Sequence, residues 1–370
     1  MAAGAVRGRG AEGGGGGAAR ATRWEAERAL LIGAGAATAA LALPRALAAG
    51  PGARGRSAQA APPLPGRGTV VRVPKGGSIQ RAVDRAPAGA EVRVAPGTYL
   101  ETVIIDKPLI LVSEEGYRHT VIQADHARFH WRGVPRDDQI VGAVNVMRTS
   151  DVRIEGFQLQ DALEGIWVSA SRRVLVTRCM SCEHQSSGYY FWASQDATLS
   201  ACDGRDNAVG VYQGNSVDVT IVGCRFTANH GGRVAHLDGE VFPGIGILVG
   251  NASTRCAIGG NRSFANRDWG LGIGEGVSYV TASSNDLRGQ RLGASVHGLG
   301  LVLRRNNLVG NSQAGLQGDH RTDARDNWWG AASGPSGEGA GSGAAVRGGA
   351  RYRPWLTEPV ALPPFTLPGP

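Results

Sequence analysis

The residues best suited to chemistry crowd into one stretch of the chain. Asp206 is followed by His230, Arg233, His236, Asp238 and Glu240, and then by Arg267 and Asp268. Two carboxylates flanking a glycosidic bond can serve as acid and as base or nucleophile. Imidazoles move protons near neutral pH, and guanidinium forks pair with the carboxylate of an acidic sugar. Asp206, Asp238 and Glu240 are therefore acid/base candidates, and His230 and His236 proton carriers. Arg233 or Arg267, with Asp268, would hold substrate. Spacing alone does not choose among these roles, and turn residues are polar everywhere, so a solvated loop is the alternative reading. No cofactor is required; a Ca²⁺ bridging acids and ligand is the one this chemistry admits.

A second donor set lies in Cys179-Met180-Ser181-Cys182-Glu183-His184. Soft sulfur and imidazole suit copper(I) or zinc, with Cys182 and His184 as the candidate ligands.

The elements that must position these residues follow from a repeat of about 22 residues. β-Branched or apolar triplets begin at Val152, Val174, Ala197, Val219, Cys256, Val280, Leu301 and Thr322, at offsets of 22, 23, 22, 37, 24, 21 and 21. Five residues after each triplet begins stand Phe157, Cys179, Cys202, Cys224, Asn261, Asn285, Asn306 and Asn327. Another five on come Ala162, His184, Asn207, Asn229, Asn266, Gln290 and Asn311, and a glycine-led strand then follows in most units. Units this short cannot bury an apolar face alone; stacked as coils they can. The spacing predicts a parallel β-helix of about ten coils, in which inward Asn residues stack as hydrogen-bonded ladders. Cys179, Cys202 and Cys224 occupy one of these ladders, so stacked buried thiols are expected, with one disulfide among them geometrically open.

Two departures from the period read as insertions. One spans His230 to Pro243, which produces the offset of 37, and the other spans Asp125 to Gln139. Alternation in the glycine-led strands points Ile166, Val168, Tyr189, Phe191 and Val211 inward. Trp167, Tyr190 and Tyr212 then form an exposed outward column, suited to the flat faces of sugar rings. The partner so predicted is an extended polysaccharide. Cross-coil aromatic packing beneath a loop is the competing reading.

Ahead of the repeat, Ser78 is placed to N-cap a short helix with Ile79, Ala82, Val83 and Ala86 on one face, plugging the open end of the stack. The β-helix is expected over 69–330, with a C-terminal cap and tail over 331–370. Residues 49–68, rich in Gly and Pro, read as a flexible linker. Within 1–48, a basic stretch, the charge-free Ala29–Leu43 and Ala46-Leu47-Ala48 read as an export signal or, uncleaved, an anchor. That places the protein in the secreted or cell-envelope fraction, touching a membrane only through an uncleaved segment.

Composition supports this architecture. With 57 glycines and 6% aromatics in 370 residues, the chain is turn-rich, while 42% hydrophobic residues suffice for a core built from many short segments. The net charge of +8 is spread along the chain, so nucleic-acid binding is not expected, and a monomer is.

Ser78-Ile79-Gln80-Arg81-Ala82-Val83-Asp84, Val92-Arg93-Val94-Ala95-Pro96-Gly97-Thr98-Tyr99, Glu101 and Lys107-Pro108-Leu109 resemble the opening of right-handed parallel β-helix proteins of the pectin-lyase-like superfamily. Asn327-Trp328-Trp329-Gly330, Gly334-Pro335 and Tyr352 to Leu356 are similar to the C-terminal part of β-helix repeat proteins that include the nitrous oxide reductase maturation factor. The likeness covers about residues 69 to 356 and implies an all-β, right-handed solenoid. It leaves function between a polysaccharide lyase or glycoside hydrolase, a copper- or zinc-associated maturation protein, and a non-catalytic wall adhesin. The polygalacturonase-type catalytic set is not found, although His230-Gly231-Gly232 partly echoes its Gly-His-Gly element.

Overall fold

A computed structural model of the chain describes residues 68–129, 139–234 and 240–365. The chain divides into two units, Met1–Ala42 and Leu43–Pro370, and every described residue belongs to the second. The proposed export segment and nearly all of the proposed linker lie outside the described residues. No helix among the described residues is long and apolar enough to cross a membrane.

The described chain is all-β apart from one short α-helix and a single 3₁₀ turn. Each coil visits three parallel sheets in turn, as in Ser150–Glu155, Gln158–Gln160 and Glu164–Ser169. The first sheet has ten strands, the second eight and the third eleven, giving a solenoid of about ten coils. The repeat read from sequence is the register of the first sheet: Ile154, Val176, Leu199, Ile221, Ile258, Ala282 and Leu303 pair in succession. All seven are buried in one continuous apolar core. The third sheet runs on past Gly330, because Gly343–Arg347 pairs with Ala314–Gly318.

Why these segments turn where they do lies in the corners. The residue before each site of the first ladder has positive φ: Gly156, Arg178, Ala201, Gly223, Gly260, Ser284, Arg305 and Asp326. So does the residue before each site of the second: Asp161, Glu183, Asp206, Ala228, Ala265, Gly289 and Gly310. A left-handed residue with a side chain costs roughly 1–2 kcal/mol, and only repeated compensation keeps so many. The ladder side chains provide it. Asn285 Oδ1 accepts from Asn261 N at 3.0 Å, Asn306 Oδ1 from Asn285 N at 2.9 Å, and Asn327 Oδ1 from Asn306 N at 2.9 Å. Their amide nitrogens donate to backbone carbonyls, Asn285 Nδ2 to Ile258 O at 2.9 Å. Cys202 and Cys224 continue the stack with sulfur, Cys202 N donating to Cys224 Sγ at 3.5 Å. All five cysteines are buried and carry free thiols.

The short helix Ile79–Arg85 forms where expected, Ser78 Oγ accepting from Arg81 N at 3.2 Å. Glu101 adds an anion at its first turn, accepting from Ile79 N and Gln80 N, each at 2.9 Å. Ile79, Ala82 and Val83 join the main core and pack against the first strands.

Losing one ladder amide strands the N–H it serves, and a buried unsatisfied donor costs about 1–3 kcal/mol. Asn285→Ala should therefore lower unfolding stability by about that amount in urea denaturation, with the parallel-sheet circular dichroism of the folded state retained.

Candidate functional site

The acidic and basic candidates occupy the corner between the second and third sheets. The residue that follows the ladder amide is His230 after Asn229, Arg267 after Asn266 and Arg291 after Gln290, in three successive coils. Coils rise by about 4.8 Å, so these three basic groups form a column along the corner. His230 and Arg267 are exposed, and Arg233 is exposed on the insertion beside them.

Asp268 has a different part from the one its neighbours suggest. Its carboxylate is buried and accepts from Gly244 N at 2.9 Å, Arg267 Nε at 3.0 Å and, at 3.4 Å, Arg291 Nη1. It thereby ties the return of the His230–Pro243 insertion to the corner and aligns two of the guanidiniums. The insertion is an antiparallel hairpin of Gly232–Val234 and Glu240–Phe242. Gly231 opens it with φ +68, where a Cβ would lie 2.4 Å from Phe242 O. The His-Gly-Gly sequence is thus explained by backbone geometry. Asp206 is exposed and is one of the left-handed corner residues. His236 and Asp238 lie outside the described residues, and of Glu240 only the backbone is described.

The other insertion reaches the same corner. His126 Nε2 lies 2.7 Å from Asp161 O, and its ring stacks on Phe129 at 4.9 Å between centroids. Glu164, one coil further on, is a fully buried carboxylate accepting from Ser187 N at 2.7 Å.

The aromatic column is in register, Trp167 pairing with Tyr190 and Tyr190 with Tyr212. None of the three joins the core cluster formed by the inward residues beside them. The expectation that they are exposed is corrected by their accessibilities of 0%, 1% and 7%. They bury one another: Trp167 meets Tyr190 edge-on at 4.7 Å, and Tyr190 stacks on Tyr212 at 4.5 Å. Trp192 flanks Tyr190 at 6.3 Å, and Phe242 of the hairpin lies 6.0 Å from Tyr212. Alternation correctly gave the side of the sheet; it carried no information on what covers that side.

Cys182 and His184 are not brought together as a donor set. His184 takes an amide's place in the second ladder, its Nδ1 accepting from Ala162 N at 3.2 Å while its own N–H donates to Asn207 Oδ1 at 3.0 Å. Cys182 packs in a small cluster with Tyr117 and Met180. Burial pushes the Cys182 thiol up to about 11 and the His184 imidazole down to about 4. Among the described residues no group of three or more His, Cys, Asp or Glu is placed to hold a metal ion.

With this geometry in view, comparison with known proteins bears on the fold. The family model described as "Right handed beta helix region" matches residues 140–292. No curated protein matches the chain. Among solved structures, an alginate lyase from Paenibacillus sp. str. FPU-7 is 13% identical with a TM-score of 0.49, covering 76% of this chain and 98% of its own. Pectate lyase Pel9A is 12% identical at 0.49, covering 78% of each chain. A polygalacturonase from Erwinia carotovora ssp. carotovora is 11% identical at 0.48, covering 74% and 82%. The protein is a right-handed parallel β-helix.

Two outcomes follow from the burial. Trp167→Ala should cost about 3–5 kcal/mol of unfolding stability, the cost of truncating a buried aromatic, measured by urea denaturation. His184 stays neutral in the fold down to about pH 4, whereas the unfolded chain protonates it below about pH 6.5. Its contribution is complete above pH 6.5 and is lost as pH falls toward 4, by roughly 3 kcal/mol. His184→Asn, which restores the usual ladder residue, should flatten the pH dependence of stability across that window relative to the parent protein.

Proposed function

We propose that this protein is an exported β-helix that binds an acidic polysaccharide along the corner between its second and third sheets. The observation that carries this reading is the column of His230, Arg267 and Arg291, one basic group per coil, with Arg233 beside it. A polymer of uronic acids repeats its carboxylate along an extended chain, and an Arg fork is the strongest side-chain partner for a carboxylate. The stack of coils repeats its basic groups in the same manner, on a rigid scaffold and between two insertions. Functional loops on a solenoid take this position, displayed on one edge of a fixed frame. The buried column of Trp167, Tyr190 and Tyr212 then serves as packing, with Tyr212 against Phe242 of the insertion.

Cleavage or modification of the bound chain would use the carboxylates and imidazoles of the same edge, Asp206, His230, His236, Asp238 and Glu240, with Arg233 neutralising the uronate. The N-terminal segment suits delivery to where such polymers lie. A Ca²⁺ shared between corner carboxylates and polymer would make binding sensitive to EDTA.

Calorimetry with oligogalacturonate and alginate oligomers tests the reading. Each charge-assisted contact contributes roughly 1.5–3 kcal/mol, so His230→Ala/Arg267→Gln should weaken binding at least tenfold while thermal unfolding confirms the fold. Binding that ignores the double substitution, or no binding to either polymer, would overturn it. A new ultraviolet absorbance during incubation identifies a lyase, reducing ends without it a hydrolase, and neither, with binding retained, an adhesin.

A further inference from the structure

The second sheet displays an outer column that the corner site does not use. Asp203, Arg225, Arg262, Asp286 and Asn307 stand in register on successive coils. Arg205 and Arg288 stand on the same face two residues along their strands. Asp203 is fully buried and paired with Arg225, and Asp286 lies 2.8 Å from Arg288. Arg262 meets no carboxylate within ion-pair distance among the described residues. Its guanidinium is held by two neutral acceptors, the carbonyls of Leu362 and Pro363.

Those carbonyls belong to the C-terminal segment, which takes an unusual path. Val360 exchanges two hydrogen bonds with the Asn307 side chain, N to Oδ1 and Nδ2 to O, each 2.9 Å. Arg262 then binds Leu362 and Pro363, and the Phe365 ring lies 4.8 Å from the Arg225 guanidinium. From Asn307 to Arg225 is three coil steps, about 14 Å at the usual strand spacing. Five residues in a proline-type extended chain span about 15 Å. The segment therefore runs fully extended along the solenoid axis, perpendicular to every strand beneath it. With Pro359, Pro363 and Pro364 it lacks the N–H groups to join a sheet; Arg262 holds it through its carbonyls, while Val360 N donates to Asn307.

We propose that this face is a second ligand site, for an extended chain bearing regularly spaced carboxylates, an acidic polysaccharide, and that Val360–Phe365 is its internal occupant, displaced when such a chain binds. Four guanidiniums face two carboxylates there, and the neutral carbonyls on Arg262 are weaker partners than a carboxylate fork. The ligand class rests on the reading of the corner; the displaceable segment does not, since its contacts are on a different sheet.

The test begins with the intact protein. Saturating oligogalacturonate should accelerate hydrogen exchange at Val360, whose N–H is bound to Asn307, at least tenfold, and leave Asn285 unchanged. Unaltered exchange at Val360 would overturn the proposal. A chain ending at Pro359 should gain, at low oligomer concentration, a second tight calorimetric site that the intact protein fills only at saturation. Arg262→Gln in that shortened chain should abolish the gained site and spare the first, whereas Arg267→Gln should weaken the first and spare the second. If the corner reading alone fails, the Arg267 variant changes nothing while the gained site persists. A shortened chain that folds, as judged by thermal unfolding, and gains no site would refute the second site.

Discussion

Everything in this molecule depends on how the backbone is satisfied at its corners. At the two corners that flank the second sheet each coil turns through a left-handed residue, and a buried side chain from the next coil accepts the N–H that the turn leaves pointing inward, as Asn285 does for Asn261 and Asn229 for Asn207. A buried amide without a partner would cost more than most single contacts return. Coils therefore stack in one register or not at all. The core columns of Val, Ile and Leu follow from that register, because side chains one repeat apart are placed directly over one another.

The same constraint explains why the ladder tolerates several chemistries. Cys224 offers sulfur in place of an amide oxygen, and His184 offers an imidazole nitrogen. Each meets the requirement of an inward acceptor for a backbone N–H from the coil before. Burial raises the Cys179 and Cys202 thiols and lowers the His184 imidazole, which favours the neutral forms that pack in the stack.

A frame so rigid makes repetition available to function. Any position on a coil becomes a column, and two columns bearing basic groups result, one along the corner and one on the outer face of the second sheet. The two insertions leave the stack at the first of these, and the C-terminal segment lies along the second. The aromatic column stands between frame and hairpin, with Asp268 fastening the return of the loop to the coil below. The site is a rigid edge carrying an added loop, and its polar groups divide accordingly between those that hold the loop and those that face solvent.

Much of this was legible in the residues. The triplets from Val152 to Leu301 predicted the sheet register residue for residue, the offset of 37 located the hairpin, and the position of Cys202 and Cys224 in the repeat foretold stacked thiols. His184 stood in the second ladder by count, a signal that outweighs the appeal of a nearby Cys182. Other features depended on partners remote in sequence. Asp268 serves Gly244, 24 residues away, and the C-terminal segment has no repeat to align, so its lodging against Arg225 and Arg262 has no periodic signature. The period and the alternation determined by themselves the coil, its register and the side of the sheet each residue takes, because those follow from local backbone geometry. Only the tertiary structure decided which outward residues meet solvent and which are covered, because covering comes from non-repeating segments whose paths are set by contacts across the stack.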